Sequence, residues 1–395
     1  SVSFELKAAN AIADTTLLTT TDVETINVKV STAETMDFSN LGAITDASLY
    51  SSLVLTGDKA LTISATNADL TGIDASGMST GGSVVQTGRS STVAADYVGS
   101  TGDDTFIMTL GTDVMDGGEK TGDNDTLDIN FTGVLGAISI DLSSATDQIT
   151  TFNGLTEATV QKGFESVDLA GYANFGSQVI GSDEANTVTG TASGDTISLG
   201  KGADIYTMSA GNDQVDLGAG DDTINTTEAL MIAHSGTTSN IGGGAGTDTI
   251  VFEAATINVV DADFRGLTSI ETLELGTGTN NVVTGASAKA AGIVTINGNT
   301  GADTVTLHDG VTTYTSGGGA DVLTGLDTYT SGLTISSASD VTLDLAQLGT
   351  ASRWEAAAEA SAAAVTEAGE WHVDTTSGVL SIWNADLGTA AVATY

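Results

Sequence analysis

The sequence predicts an all-β chain wound into a parallel solenoid. Three observations carry the prediction: aspartates that recur every nine residues, an apolar residue two positions after each, and a composition built for strands and tight turns. Among 395 residues there are 49 glycines and no proline, and Thr, Ser, Ala, Val and Asp crowd the rest. That mixture favours pleated strands joined by glycine and Asx turns over helices.

The period is clearest in the middle of the chain. Asp195, Asp204, Asp213 and Asp222 are nine residues apart, with Asn186 one period earlier. They sit in GTASGDTI (190–197), LGKGADIY (199–206), MSAGNDQV (208–215) and LGAGDDTI (217–224). Val188, Ile197, Tyr206, Val215 and Ile224 each follow the polar residue by two. Gly202, Gly211 and Gly220 stand two before an aspartate, and Gly200 and Gly218 stand four before. Nine residues fit neither the 3.6-residue helical turn nor a heptad. A glycine turn of about six residues followed by a strand of about three does fit, with the apolar side chain pointing into a shared interior.

The same phase returns on both sides. Upstream lie Asp104 with Phe106, Asp113 with Met115, and, after a three-residue insertion, Asp125 with Leu127. Downstream lie Asp248 with Ile250, Asp303 with Val305, and Asp321 with Leu323. The step from 303 to 321 is two periods, and the skipped position is Thr312, between Gly310 and Tyr314. That turn is expected to keep the fold and to lack a carboxylate.

This pattern resembles the RTX nonapeptide family, G-G-x-G-x-D-x-U-x. The resemblance implies a β-roll in which two nonapeptides make one turn, with calcium ions in rows between turns. Glycines let the backbone curl so that carbonyl oxygens face inward, and aspartate adds a hard anionic oxygen of the kind calcium takes in cages of 6 to 8 ligands. Carried over residue by residue, the ligand role falls on Asp104, Asp113, Asp125, Asp195, Asp204, Asp213, Asp222, Asp248, Asp303 and Asp321, with Gly200, Gly202, Gly211, Gly218 and Gly220 shaping the turns. Asn186 and Thr312 depart from the pattern.

Between these blocks runs a second phrase: DVETINVKV (22–30), TAETMDFS (32–39), GFESVDLAG (163–171) and SIETLELGTG (269–278). Each reads acid, small polar, apolar, then alternation, which is the pattern of a short strand with one buried face. These phrases predict solenoid without metal ligands. The expected order is a metal-poor segment at 1–95, calcium turns at 96–130, solenoid at 131–180, a β-roll at 181–227, and solenoid with further calcium turns at 228–345. Residues 346–395 change character. Ser352-x-x-Glu355 is a capping-box pattern before an alanine-rich run that stops at Gly369, which predicts a helix over 352–368. A hairpin around Thr376-Ser377-Gly378 follows, and helix and hairpin together are expected to cap the open end of the solenoid.

Charge narrows the function. Ten Lys and Arg against 51 Asp and Glu give a net charge of −41, which argues against nucleic acid and anionic lipid and for cations. No apolar run reaches the ~20 residues of a membrane span. Cysteine is absent, so disulfides and thiolate sites are too. His234, His308 and His372 form no HExxH, no serine sits in GxSxG, and His308 beside Asp309 reads as a turn residue; no enzyme is expected. Ser1 is not an initiator methionine, so the chain reads as processed or as part of something longer. Calcium turns alternating with Thr- and Ala-rich solenoid are similar to the calcium-dependent S-layer proteins of Gram-negative bacteria, of the alphaproteobacterial type, exported by type I secretion. No stretch reads as the membrane-anchoring domain of such proteins. The resemblance implies a secreted, cell-surface structural protein whose partners are calcium and copies of itself. The alternative is the calcium-folded portion of a larger secreted enzyme or adhesin.

Overall fold

A computed structural model describes residues 1–6, 24–38, 51–66, 70–79, 82–88, 94–109, 112–118, 122–131, 136–156, 158–172, 174–236, 238–254, 256–325, 333–337, 341–343, 371–374, 379–384 and 389–394. The chain forms two compact units, residues 1–202 and 203–395. Each is built from short strands in parallel sheets, an all-β solenoid.

In the second unit, Ile205–Thr207 pairs with Thr223–Thr226, eighteen residues on, while the intervening Gln214–Ala219 pairs in another sheet with Asn240–Ala245. Successive nonapeptides therefore feed alternate sheets, and two of them complete one coil. Parallel pairing in register stacks like positions. Tyr206, Ile224, Ile250, Leu273, Ile296 and Tyr314 follow one another through the paired strands and are fully buried. In the first unit Phe106, Leu127, Val167 and Val188 form the matching column. Most of these stand two positions after a turn acid; Val188, Ile296 and Tyr314 follow Asn186, Val294 and Thr312 instead. Burying each one stabilises the coil by about 1.5–3 kcal/mol. One position earlier, Thr223, Thr249, Thr272, Thr295 and Thr313 make a half-buried threonine column.

Two of the longer coils of the second unit carry helices. From Thr223 to its partner Thr249 is 26 residues, eight more than two nonapeptides, and the coil contains the eight-residue helix Glu228–Ser235. Thr227 caps it, its side chain accepting the Leu230 N–H. The helix Ala286–Ala291 lies in the 23-residue coil from Thr272 to Thr295 and ends at Gly292 in the left-handed region, φ 110°. Neither helix was expected.

The segment expected as plain solenoid over 131–180 departs from it. Ile149–Phe152 runs antiparallel to Ile138–Asp141 and to Leu155–Thr156. Asn153 and Gly154 turn the chain with φ of 54° and 74°, the two positive values a two-residue hairpin loop requires. Near the C-terminus, Trp371–Asp374, Val379–Asn384 and Thr389–Thr394 form an antiparallel sheet, with the first two strands as the expected hairpin arms. The helix expected over 352–368 and the turn 376–378 lie outside the described residues.

Candidate metal centre: a ladder of buried acids

All ten aspartates singled out by phase are buried. Each directly precedes a strand or, for Asp321, opens one, so parallel pairing brings like acids above one another. Their carboxylates then close a ladder along the coils. The Asp204 N–H donates to Asp222 Oδ1 at 2.7 Å, the Asp222 N–H to Asp248 Oδ1 at 2.9 Å, and the Asp303 N–H to Asp321 Oδ1 at 2.9 Å. The Asp104 N–H likewise reaches Asp125 Oδ1 at 2.7 Å, while Asp113 and Asp195 accept from the N–H groups of Ala95 and Ser177. Each of these accepting acids thus satisfies a backbone donor of the preceding coil that burial would otherwise leave unpaired, at a cost of about 1–3 kcal/mol. Asp213 donates its N–H to Ser239 Oγ and accepts at Oδ2 from the Tyr206 hydroxyl at 3.4 Å.

Four further residues occupy ladder positions without having been singled out there. Glu165 accepts the Asp125 N–H at 2.8 Å and Glu271 the Asp248 N–H at 2.9 Å. Asn280 accepts the Ile257 N–H at 3.1 Å, and Ser239 accepts from Asp213. Glu165 and Glu271 belong to the phrases read as metal-poor strands. The strands are there, at Ser166–Asp168 and Thr272–Glu274, and the acid before each is a rung. The signal was present: an acid or amide, a small polar residue, then an inward apolar one.

The second carboxylate oxygen divides the turns into two kinds. In one kind it is closed by the chain. Asp104 Oδ2 accepts from the Ser100 N–H and hydroxyl, and Asp195 accepts the Thr191 N–H at Oδ2 and its hydroxyl at Oδ1, both at 2.8 Å. Asp113 Oδ2 accepts the Thr109 N–H, and Asp321 Oδ2 the Tyr314 hydroxyl at 2.8 Å. In the other kind, at Asp125, Asp222, Asp248 and Asp303, Oδ2 is buried with no hydrogen-bond partner. The residue four places before separates three of these four by its backbone. Ser100, Thr109 and Thr191 turn their N–H onto Oδ2, whereas Gly218, Gly244 and Asn299, all at positive φ, leave Oδ2 unmet.

The glycines fit this geometry. Gly200, Gly202, Gly211, Gly218 and Gly220 all have positive φ, and at Gly218 and Gly220 the values of 105° and 153° are ones that L side chains rarely adopt. At Gly117, Gly243 and Gly298 the carboxylate itself folds back over the glycine. A Cβ there would collide with Oδ2 of Asp125, Asp248 and Asp303, and at the first two also with a carbonyl oxygen of the next coil, from Gly163 or Ser269.

Burial drives the acid–base behaviour of these rungs. It pushes Asp125 up to about 9, helped by the carboxylates of Asp104, Glu165 and Asp123. It pushes Asp104, Asp248 and Asp303 up to about 6 and raises Asp222. A dehydrated carboxylate with one oxygen unsatisfied demands a proton or a cation. Lysine does not supply it in the ion pairs Lys29–Glu5, Lys59–Asp58, Lys162–Asp116, Lys201–Asp183 and Lys289–Asp309, none of which includes a ladder acid. Among the described residues no group of three or more acidic or imidazole side chains is placed to hold a metal ion. An all-oxygen set of carboxylate and turn carbonyls suits calcium and is a poor match for zinc or copper.

Thr312, at the skipped period, has no carboxylate; its hydroxyl donates to the Val294 carbonyl and the following strand Thr313–Ser316 pairs normally. His308 is a turn residue, its Nδ1 accepting the Gly310 N–H at 2.9 Å. His234 is buried on the helix Glu228–Ser235, and burial lowers its pKa. His372 lies in the strand Trp371–Asp374. No helix among the described residues is long and apolar enough to cross a membrane. No protein-family model, curated protein or solved structure matches the chain.

Proposed function

We propose that this protein is an extracellular structural protein that folds on binding calcium and assembles with copies of itself into a surface layer or filament. One observation carries the calcium reading: the buried, unpartnered Oδ2 atoms of Asp125, Asp222, Asp248 and Asp303 in the turns of the solenoid. Calcium bound there would satisfy these oxygens and offset part of a net charge of −41 that opposes compaction. The closed turns, at Asp104, Asp113, Asp195 and Asp321, have both oxygens satisfied and serve the ladder first. Asp204 and Asp213 keep their place as ligands through phase and burial.

Self-assembly draws its support from the sheet edges. Leu155–Thr156 lies at the end of its sheet, pairs on one side with Ile149–Phe152 among the described residues, and leaves Leu155 71% exposed. An edge strand of this kind suits pairing with a strand of a second copy. Extracellular calcium modules work at roughly 10⁻⁴ to 10⁻³ M, so a chain tuned to that range folds after export and assembles outside the cell. Light scattering and electron microscopy should show sheets or filaments at millimolar calcium that dissolve on chelation. Monomers across that range would overturn the assembly reading and favour a calcium-folded portion of a larger secreted protein.

A further inference from the structure

Asn280 stands at a ladder position. It lies nine residues after Glu271, and the strand it precedes, Asn281–Val283, pairs in register with Thr304–Thr306 after Asp303. Its Oδ1 accepts the Ile257 N–H, as an aspartate Oδ1 would, and its own N–H donates to Asp303 Oδ1 at 3.0 Å. The remaining atom differs from that of every aspartate rung. Where Asp222 and Asp248 bury a bare oxygen, Asn280 buries an amide nitrogen. That nitrogen donates to the carbonyls of Gly276 at 2.7 Å and Gly278 at 3.0 Å and to Asp303 Oδ1 at 2.8 Å. Three acceptors around one atom fix which end of the amide faces them.

Gly276 and Gly278 stand four and two residues before Asn280, as Gly218 and Gly220 stand before Asp222 and Gly244 and Gly246 before Asp248. The side chain is buried. Two turn carbonyls and a carboxylate oxygen of the next rung thus converge on a single donor. With an aspartate oxygen in its place, four oxygens would face one another in a dehydrated turn, an arrangement only a cation holds together.

We infer that the Asn280 amide stands in for a cation, so that the turn at 276–280 is held without metal and Asn280→Asp converts it into a calcium site. The inference rests on the reading that open aspartate turns take calcium. It also places a metal-independent rung directly before Asp303, whose Oδ1 is held by the Asn280 backbone and side chain whether or not calcium is present.

The test compares the full chain with Asn280→Asp and Asn280→Ala. Bound calcium at saturation is counted by equilibrium dialysis and native mass spectrometry, and hydrogen exchange of residues 276–283 is followed through a calcium titration. Asn280→Asp should bind one more ion per chain than the wild type. Its segment should need about tenfold more calcium for half-protection, the equivalent of about 1.4 kcal/mol. Asn280→Ala, which loses the amide without adding a carboxylate, should gain no ion. An unchanged ion count in Asn280→Asp, while the wild type binds calcium elsewhere, overturns the inference and leaves the calcium reading intact. A wild type that binds no calcium overturns the calcium reading; an ion gained by Asn280→Asp in that case still upholds the assignment of Asn280, and none gained overturns both.

Discussion

The turns at Asp195 and Asp248 do the same mechanical work and end in different chemical states. Both place a buried carboxylate beneath a backbone N–H of the preceding coil, Ser177 in one case and Asp222 in the other. At Asp195 the residue four places earlier is Thr191, whose hydroxyl and N–H complete the carboxylate. At Asp248 that residue is Gly244, and Oδ2 is left bare. The backbone of one residue, with Gly244 at a φ of 107°, therefore separates a rung that the chain completes itself from a rung that it leaves open. The repeat carries its ladder through both turns and leaves a carboxylate oxygen open at only one of them.

The largest expected effect comes from removing one acid of each kind. Asp248→Ala strips the acceptor from a buried N–H, at about 1–3 kcal/mol, and removes a calcium oxygen as well. Calcium titrations followed by thermal unfolding should show a lower Tm and a higher calcium midpoint. Asp195→Ala should lower Tm by a similar amount in chelator and in calcium, with the midpoint unmoved. If the two variants shift the midpoint equally, the division into open and closed turns is wrong.

Acid should separate the two states of the ladder next. Asp125 is raised to about 9, and Asp104, Asp248 and Asp303 to about 6, above the 3.8 of an exposed aspartate. The native form then binds more protons than the unfolded one between about pH 4 and those values. Metal-free stability should accordingly rise as pH falls from 9 towards 5, and calcium affinity should fall over the same range because protons compete for the same oxygens. Urea unfolding with chelator at several pH values checks the sign. Stability that instead increases towards pH 9 would mean the rungs are charged and content without metal.

A smaller effect is expected at Tyr314. Its hydroxyl closes Asp321 Oδ2, so Tyr314→Phe should cost about 1–3 kcal/mol and make the Asp321 turn respond to calcium, seen as a steeper dependence of Tm on calcium concentration. The smallest belongs to Asp147, an acid off the ladder whose Oδ1 meets the Gln161 N–H only at 3.5 Å. Asp147→Ala should change stability by no more than about 0.5 kcal/mol and leave the calcium midpoint alone.

The solenoid was legible because its period belongs to the fold itself: turn, acid, polar, apolar, in steps of nine. The rungs Glu165, Glu271 and Asn280 lie outside the aspartate pattern, whereas the ladder asks only for an acceptor before the strand. Ser239 was hidden by an eight-residue helix that shifts the phase. The helices Glu228–Ser235 and Ala286–Ala291 bury little and sit inside otherwise β-rich text, so only their caps, Thr227 and Gly292, announced them. The Asn153-Gly154 loop was readable as a hairpin from its dipeptide alone. The distinction between open and closed turns depended on the residue four before the acid, whose role becomes visible only when the turn is folded.

The most direct test is the far-ultraviolet circular dichroism and thermal unfolding of the full chain, first in chelator and then through millimolar calcium. The account predicts a largely disordered or weakly stable chain in chelator that gains strand signal and Tm as calcium binds. A β-rich chain of equal Tm in chelator and in calcium would contradict it, because the bare oxygens of Asp125, Asp222, Asp248 and Asp303 would then need no cation.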